Sequence, residues 1–90
     1  DPAADLAVAA ALISALADKP LPGDAVWFGE VSLAGEIRPV AHSAIRLREA
    51  AKLGFARVFG PGEAGAAPPG SRFTSLSLLP NLVDRIMGGA

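Results

Sequence analysis

The stretch Ala25-Val-Trp-Phe-Gly-Glu-Val-Ser-Leu33 decides the fold class of this 90-residue chain. It is rich in β-branched and aromatic residues, which is typical of a buried strand, and Ala34-Gly35 supplies a turn directly after it. Glu36 to Val40 predicts a short partner strand, so we expect Val26 to Val40 to form a β-hairpin. Pro39 has no backbone N–H to donate, which favours an edge position for the second arm.

Around this hairpin the sequence predicts three helices and two further strands. Helix-forming residues with apolar side chains three and four apart run from Ala3 to Asp18, from His42-Ser43 to Leu53 and, more briefly, from Asn81 to Met87. Short strands are expected at Arg57 to Phe59 and at Phe73 to Ser77. The order of elements predicts an α/β (α+β) domain with helices packed on a mixed sheet.

The first helix is apolar on nearly every side, because alanine fills much of the surface between Leu6 and Leu16. We expect it to pack against two layers, the second lying either within the domain or in a subunit contact. Asp1 is expected to cap its start, and Asp5 suits the positive end of the helix dipole. The Gly-, Ala- and Pro-rich stretch at 60–71 predicts a loop.

The composition indicates one domain, residues 1–90, and disfavours several kinds of site. The formal net charge is −1, so no overall field draws the chain to nucleic acid. There is no cysteine and a single histidine, His42, which excludes disulfides and disfavours a zinc site. The longest apolar run is too short to span a bilayer, so we expect a cytoplasmic protein without a membrane partner. The start at Asp1-Pro2, without methionine, is interpreted as that of a piece of a longer protein.

Two segments carry a resemblance to a known family. Phe28-Gly-Glu-Val-Ser-Leu-Ala-Gly-Glu-Ile-Arg-Pro-Val40, followed by Arg46-Leu-Arg-Glu-Ala-Ala-Lys-Leu-Gly-Phe55, is similar to the C-terminal Lon-protease-like domain of RadA (Sms), a family of bacterial DNA-repair proteins. Pro2-Ala-Ala-Asp-Leu-Ala7 is similar as well. The resemblance covers about Asp1 to Pro61 and continues only in outline after Gly62. It implies the fold shared by Lon proteolytic domains and domain 2 of ribosomal protein S5.

Lon proteins hydrolyse peptides with a Ser-Lys dyad, and the resemblance locates both dyad positions in this chain. The family's Pro-Ser-Ala-Gly motif corresponds to Pro2-Ala3-Ala4-Asp5, which puts Ala3 at the position of the nucleophile. Alignment on Gly35 and Pro39 brings Ala44 to the position of the lysine. Alanine has neither a nucleophilic oxygen nor a titratable amine, so the resemblance implies a pseudo-peptidase with no catalytic residue and no metal.

The family also implies partners for a longer parent protein. RadA proteins join this domain to a RecA-like ATPase and a zinc motif, form hexameric rings, and act in recombinational repair as branch-migrating motors. ATP, Mg and Zn are therefore expected elsewhere in the parent. This chain has no Gly-Lys-Ser or Gly-Lys-Thr loop, and Gly60-x-Gly62 lacks a third glycine, so we expect no cofactor here. The Lon-like portion is implied to be an oligomerisation scaffold that contacts DNA.

Five cationic side chains in and around the second helix are the candidate DNA contacts. Arg48 and Lys52 are one turn apart on a shared face, which suits a phosphate backbone. The alternative, a solvated face whose charge Glu49 and other carboxylates screen, is equally open. Aromatic residues do not alternate with these cations, which disfavours single-strand recognition. The five are Arg38, Arg46, Arg48, Lys52 and Arg57.

Residues of other notable types have simpler interpretations. His42 and Ser43 are adjacent, and adjacent side chains rarely orient for proton transfer, whereas Ser43 suits a helix cap. Ser14 lies in mid-helix on a small-residue face, where packing explains it. Trp27 and Phe28 are expected to be core residues on opposite faces of one strand.

The sequence therefore favours a non-catalytic Lon-like domain of a RadA-type DNA-repair ATPase, acting as oligomerisation scaffold and DNA-backbone contact. Two alternatives stay open. One is a Lon-type peptidase whose catalytic residues are aligned elsewhere, with Ser43 as the serine to test. The other is a protein-interaction module without a nucleic-acid role.

Overall fold

The computed structural model of the chain describes residues 2–41, 43–62 and 71–88. A 3-10 turn at Pro2–Ala4 leads into the helices and strands. All three predicted helices and both later strands are confirmed, with bounds within two residues of the prediction. Asp1, His42, most of the predicted loop and the Ser43 side chain lie outside the described part. The elements are α1 (Asp5–Ala17), β1 (Ala25–Trp27), β2 (Glu30–Val31), β3 (Ile37–Arg38), α2 (Ser43–Lys52), β4 (Arg57–Gly60), β5 (Arg72–Ser75) and α3 (Leu79–Met87).

The centre of the domain is a three-stranded parallel sheet in the order β1–β4–β5. Its register sets Val26 beside Val58 and Trp27 beside Phe59. Parallel neighbours cannot be joined by a tight turn, and here the segment containing α2 makes the crossover from β1 to β4. The domain is therefore of the α/β class, with helices packed on a parallel sheet.

The hairpin predicted from Val26 to Val40 is wrong at its beginning. The apolar run breaks at Phe28-Gly29, where Gly29 has a φ of +151°, and only β2 and β3 form the antiparallel pair. β1 leaves this pair and joins β4 instead. The expected single mixed sheet is replaced by a parallel sheet and a separate two-stranded antiparallel one. The reason is local, because a backbone bend that glycine tolerates lets consecutive strands enter different sheets.

Helices cover the two faces of the parallel sheet through two separate apolar clusters. Trp27 and Phe59 stack with ring centroids 4.1 Å apart, on the face covered by α1 and α3. Phe28 and Val58 belong to the second cluster, which packs against Leu47 of α2. The predicted placement of Trp27 and Phe28 on opposite sides of one strand is confirmed.

The first turn of α1 is fastened to the bend between β1 and β2. The Gly29 N–H donates to the Ala3 carbonyl at 3.0 Å, and the Leu6 N–H donates to the Gly29 carbonyl at 3.0 Å. Asp5 Oδ2 accepts a hydrogen bond from the Val31 N–H at 3.1 Å. The carboxylate expected to serve the helix dipole thus also anchors the hairpin to α1.

The hairpin and α3 are joined in a similar way on the other side. The Ile37 N–H donates to the Ser77 carbonyl at 2.9 Å, and the Leu79 N–H donates to the Gly35 carbonyl at 2.8 Å. Farther along α3, the Arg85 guanidinium lies 5.6 Å from the centroid of the Phe59 ring. This cation–π contact ties α3 to the aromatic stack beneath it.

Within the described residues, only one side of α1 is covered, so the second layer predicted for this helix is not observed there. Leu6 and Ala10 are buried, whereas Val8, Leu12 and Leu16 are 56%, 60% and 88% exposed. Leu12 and Leu16 follow Val8 at intervals of four, so the three form one apolar stripe along the helix. Among the described residues, no helix is long and apolar enough to cross a membrane.

A substitution at Gly60 tests how closely β4 approaches Phe28, the residue after β1. A Cβ added to Gly60 would lie 2.8 Å from the Phe28 carbonyl oxygen, whereas one added to Gly23 would meet nothing within 4 Å. We expect Gly60→Ala to lower the free energy of unfolding by about 1–3 kcal/mol, because the backbone at Phe28 or Gly60 must shift to relieve the contact. Gly23→Ala, the matched control, is expected to stay within about 1 kcal/mol of the parent. Urea unfolding followed by tryptophan fluorescence measures both, and equal losses would contradict the assigned packing.

Candidate functional site

An apolar groove of about 450 Å³ lies between the start of α1 and the outer side of α2. Ala3, which the resemblance to Lon proteins aligns with their nucleophile, lines it and is 5% exposed. The groove's polar lining side chains are those of Arg46 and Glu49, on α2. The remaining lining residues are Ala4, Ala7, Val26, Trp27, Phe28, Ile45, Ala50, Leu53 and Phe55.

The groove offers no hydrolytic chemistry in the part of its lining that the structure describes. A Ser-Lys peptidase needs a hydroxyl and an amine within hydrogen-bond reach, and neither side chain occurs among those lining residues. Ala44, which the resemblance aligns with the catalytic lysine, lies in the first turn of α2, but its side chain lies outside the described part. Two exposed apolar side chains, those of Ile45 and Leu53, border the groove.

Ser14, near the C-terminal end of α1, is a described serine close to a lysine, and its contacts indicate a structural role. Its hydroxyl donates to the backbone carbonyl of Lys19, not to the lysine amine. The Lys19 N–H in turn donates to the Ser14 carbonyl at 3.0 Å, so the two residues close the C-terminal turn of α1. The hydroxyl proton is therefore engaged, and the serine acts in helix termination.

Two of the five predicted DNA-contacting cations are paired with carboxylates. Arg38 Nη2 lies 3.0 Å from Glu36 Oε1, and its register partner across the hairpin is Glu30. Arg57 Nε lies 3.5 Å from Asp24 Oδ2. All four side chains of these ion pairs are at least 39% exposed, which limits each pair to about 0–1 kcal/mol.

The structure brings Arg48 and Lys52 together on α2. Both are exposed, and within the described residues neither makes an ion pair. Arg46 faces a different way, since it lines the groove and its Nε donates to the Ala41 carbonyl at 3.2 Å. Of the five cations, Arg48 and Lys52 therefore form the available pair, while Arg38 and Arg57 lie on other elements.

Sequence reasoning missed one cation, Arg72. It begins β5 and is the direct register partner of Arg57 on β4. Parallel register depends on which strands become neighbours, so no local signal could have paired these two residues. In the described part of the chain, no three residues among histidine, cysteine, aspartate and glutamate are grouped to hold a metal ion.

Comparison with known proteins places the chain in a family. The model for ChlI, described as subunit ChlI of Mg-chelatase, matches residues 2–64, more than two thirds of the chain. The chain belongs to the ChlI family. The match spans α1, the hairpin, α2 and β4, and so includes both walls of the groove.

The curated relatives of this ChlI-family chain include several proteins named DNA repair protein RadA. That of Brucella abortus is 47% identical over 88 residues, which is 96% of this chain and 19% of the relative. That of Rickettsia bellii is 62% identical over 55 residues, covering 61% of the chain and 12% of the relative. That of Escherichia coli K12 is 59% identical over 58 residues, covering 64% of the chain and 13% of the relative. The chain thus spans less than a fifth of the length of the relatives it matches.

From the described lining of the groove, which contains no serine or lysine, we predict that the chain does not hydrolyse peptides. We expect no turnover of casein or a fluorogenic peptide by the parent chain, and none by Ala3→Ser, because no lysine amine occurs in the described lining to take the proton from a hydroxyl at position 3. Fluorescence release over hours, with an active peptidase as reference, measures this. Turnover by the parent that disappears in Ser43→Ala would overturn the prediction and revive the peptidase interpretation.

Proposed function

We propose that this chain is a non-catalytic, Lon-like scaffold domain of a DNA-repair protein of the RadA type. The observation that carries the proposal is the 47% identity to a protein of that name along almost the whole chain. In this proposal the domain belongs to the C-terminal part of a longer, cytoplasmic protein. Other parts of that protein bind ATP with Mg and hold Zn, since this chain lacks a phosphate-binding Gly-Lys-Ser or Gly-Lys-Thr loop.

The absence of catalysis in the proposal rests on chemistry at the dyad positions. Ala3 is buried and Ala44 is also alanine, so neither the hydroxyl nor the amine of a Ser-Lys dyad is available. The groove beside Ala3 is walled mainly by alanines, aromatic rings and aliphatic side chains. Such a surface suits packing against another protein segment better than bond cleavage.

The proposed DNA contact is the α2 surface formed by Arg48 and Lys52. They are four positions apart in the chain, so both cations project from one side of the helix. Neither is neutralised by a carboxylate in the described part of the chain, in contrast to Arg38 and Arg57. A sequence-independent contact of this kind follows the phosphate backbone and weakens as salt rises.

Charge reversal on α2 tests this contact. We expect Arg48→Glu combined with Lys52→Glu to lower the affinity for duplex DNA by about tenfold or more and to reduce the slope of log K against log salt by about 2. Fluorescence anisotropy with a labelled duplex at several salt concentrations measures both quantities. Lys19→Glu, an exposed lysine beyond the end of α1, is the matched control and should leave both unchanged.

An unchanged affinity in the double variant would reject the DNA contact and favour the second candidate, a protein-interaction module without a nucleic-acid role. One observation favours that candidate, namely the apolar groove beside α2. Equal losses in the double variant and in Lys19→Glu would indicate a diffuse charge effect, and would also reject a contact localised to α2.

The proposed subunit contact is the apolar stripe of α1, formed by Val8, Leu12 and Leu16. No charged residue occurs between Val8 and Leu16, and alanines 11 and 15 lie beside the stripe, so a second helix can approach closely. A second copy of the chain is the occupant that we propose, because an exposed stripe of this kind on one copy can bury the same stripe of another. In the parent protein this contact contributes to a hexameric ring.

Replacing a leucine in the stripe tests the contact. We expect Leu12→Glu to abolish the concentration-dependent association of the chain, since burying a carboxylate in an apolar contact is unfavourable by several kcal/mol, about the scale of weak association itself. Sedimentation velocity over a concentration series gives the mass. Leu33→Glu, the same change at a fully exposed leucine of the hairpin turn, is the control and should associate like the parent. A parent chain that stays monomeric throughout the series would contradict the proposal.

A further inference from the structure

The N-terminal edge of the parallel sheet places two arginines side by side. Arg57 is the first residue of β4 and Arg72 the first of β5, and they are direct register partners. Register partners in neighbouring strands project from the same face of a sheet, with the strands about 4.8 Å apart. Two guanidinium groups therefore start from adjacent backbone positions.

A single carboxylate serves this pair in the described part of the chain. Asp24 Oδ2 lies 3.5 Å from Arg57 Nε, which is longer than a charge-assisted hydrogen bond. Arg72 is exposed and makes no ion pair with any described residue. One carboxylate beside two cations leaves an excess charge of +1 among the described residues. Like charges at directly paired strand positions destabilise a sheet, so this excess is unfavourable.

The same residues enclose a polar pocket. Asp24, Ala56, Arg57, Ser71 and Arg72 line a volume of about 390 Å³ at this edge. The backbone donors of both arginines are already used, because the Arg57 N–H donates to the Asp24 carbonyl at 3.2 Å and the Arg72 N–H to the Ala56 carbonyl at 2.7 Å. The donors that these two arginines offer a ligand in the pocket are therefore their guanidinium groups, whose planar geometry matches the oxygens of a phosphate.

We propose that this pocket binds a phosphate group, held between Arg57 and Arg72. The negative group relieves the repulsion between the two cations, which the lone Asp24 offsets only in part. The pocket is formed by the strand edge and not by α2, so the inference does not rest on the DNA contact proposed for Arg48 and Lys52. A nucleic-acid backbone and a free polyphosphate present the same chemistry to the pocket, and the test below separates these sources.

Titration of the isotope-labelled chain with inorganic pyrophosphate, followed by amide NMR shifts, tests the site. We expect shifts centred on Ala56, Arg57 and Arg72, and an affinity about tenfold lower in Arg72→Gln, as for the loss of one charge-assisted contact. Asp24→Asn should bind pyrophosphate severalfold more tightly, because it removes the negative charge of the pocket's described lining. A gain of affinity in this variant cannot arise from damage to the fold.

Lys19→Gln is the control, since it removes one exposed cation beyond the end of α1, away from both proposed phosphate contacts, and should bind pyrophosphate like the parent. The proposal is overturned if Arg72→Gln binds like the parent, if Asp24→Asn does not bind more tightly, or if Lys19→Gln loses as much affinity as Arg72→Gln. Repeating the series with a DNA duplex then identifies the source of the phosphate. Parallel losses in Arg72→Gln for pyrophosphate and DNA point to a nucleic-acid backbone, and a loss for pyrophosphate alone points to a free polyphosphate.

Discussion

The parallel pairing of β1 with β4 is the constraint on which the rest of this structure depends. It sets Trp27 beside Phe59, and the two rings stack 4.1 Å apart on one face of the sheet. Val58 and Phe28 turn to the opposite face, so both sides of a thin sheet become apolar. A parallel sheet that is apolar on both faces must be covered on both. α1 and α3 therefore take one side and α2 takes the other, each with its own cluster of buried side chains.

The bend at Gly29 makes that pairing compatible with the neighbouring hairpin. It ends β1, and it receives and donates the hydrogen bonds that fasten the first turn of α1. Because α1 is held there, Ala3 is buried at the mouth of the apolar groove. The backbone around Ala3 is thus well anchored, while its methyl side chain carries no reactive group.

The charged side chains of the described surface occur as single ion pairs and as small groups of cations. Arg38 is occupied by Glu36 and Arg57 partly by Asp24, whereas Arg48, Lys52 and Arg72 have no carboxylate partner in the described part of the chain. A net charge of −1 conceals this local arrangement, because it averages over every face of the molecule. Arg48 and Lys52 lie together on α2, and Arg72 lies beside Arg57 at the N-terminal edge of the sheet. These two places give the domain its proposed contacts with phosphate.

By itself the sequence determined the helices, their approximate ends, and the two faces of the strand that holds Trp27 and Phe28. Those features arise from local spacing and propensity, which act over one or two turns of chain. The resemblance to RadA, carried by contiguous residues, agrees with the names of the relatives, whereas the Lon-like fold and the five DNA contacts stay predictions. The sequence also shows directly that positions 3 and 44 are alanines.

Only the tertiary structure decided which strands became neighbours. It moved β1 out of the predicted hairpin, placed Arg72 beside Arg57, and left the stripe of Val8, Leu12 and Leu16 outside the core. The physical reason is the same in each case. Strand pairing and helix burial depend on contacts between residues far apart in the chain, and their free energies are not encoded in any single segment.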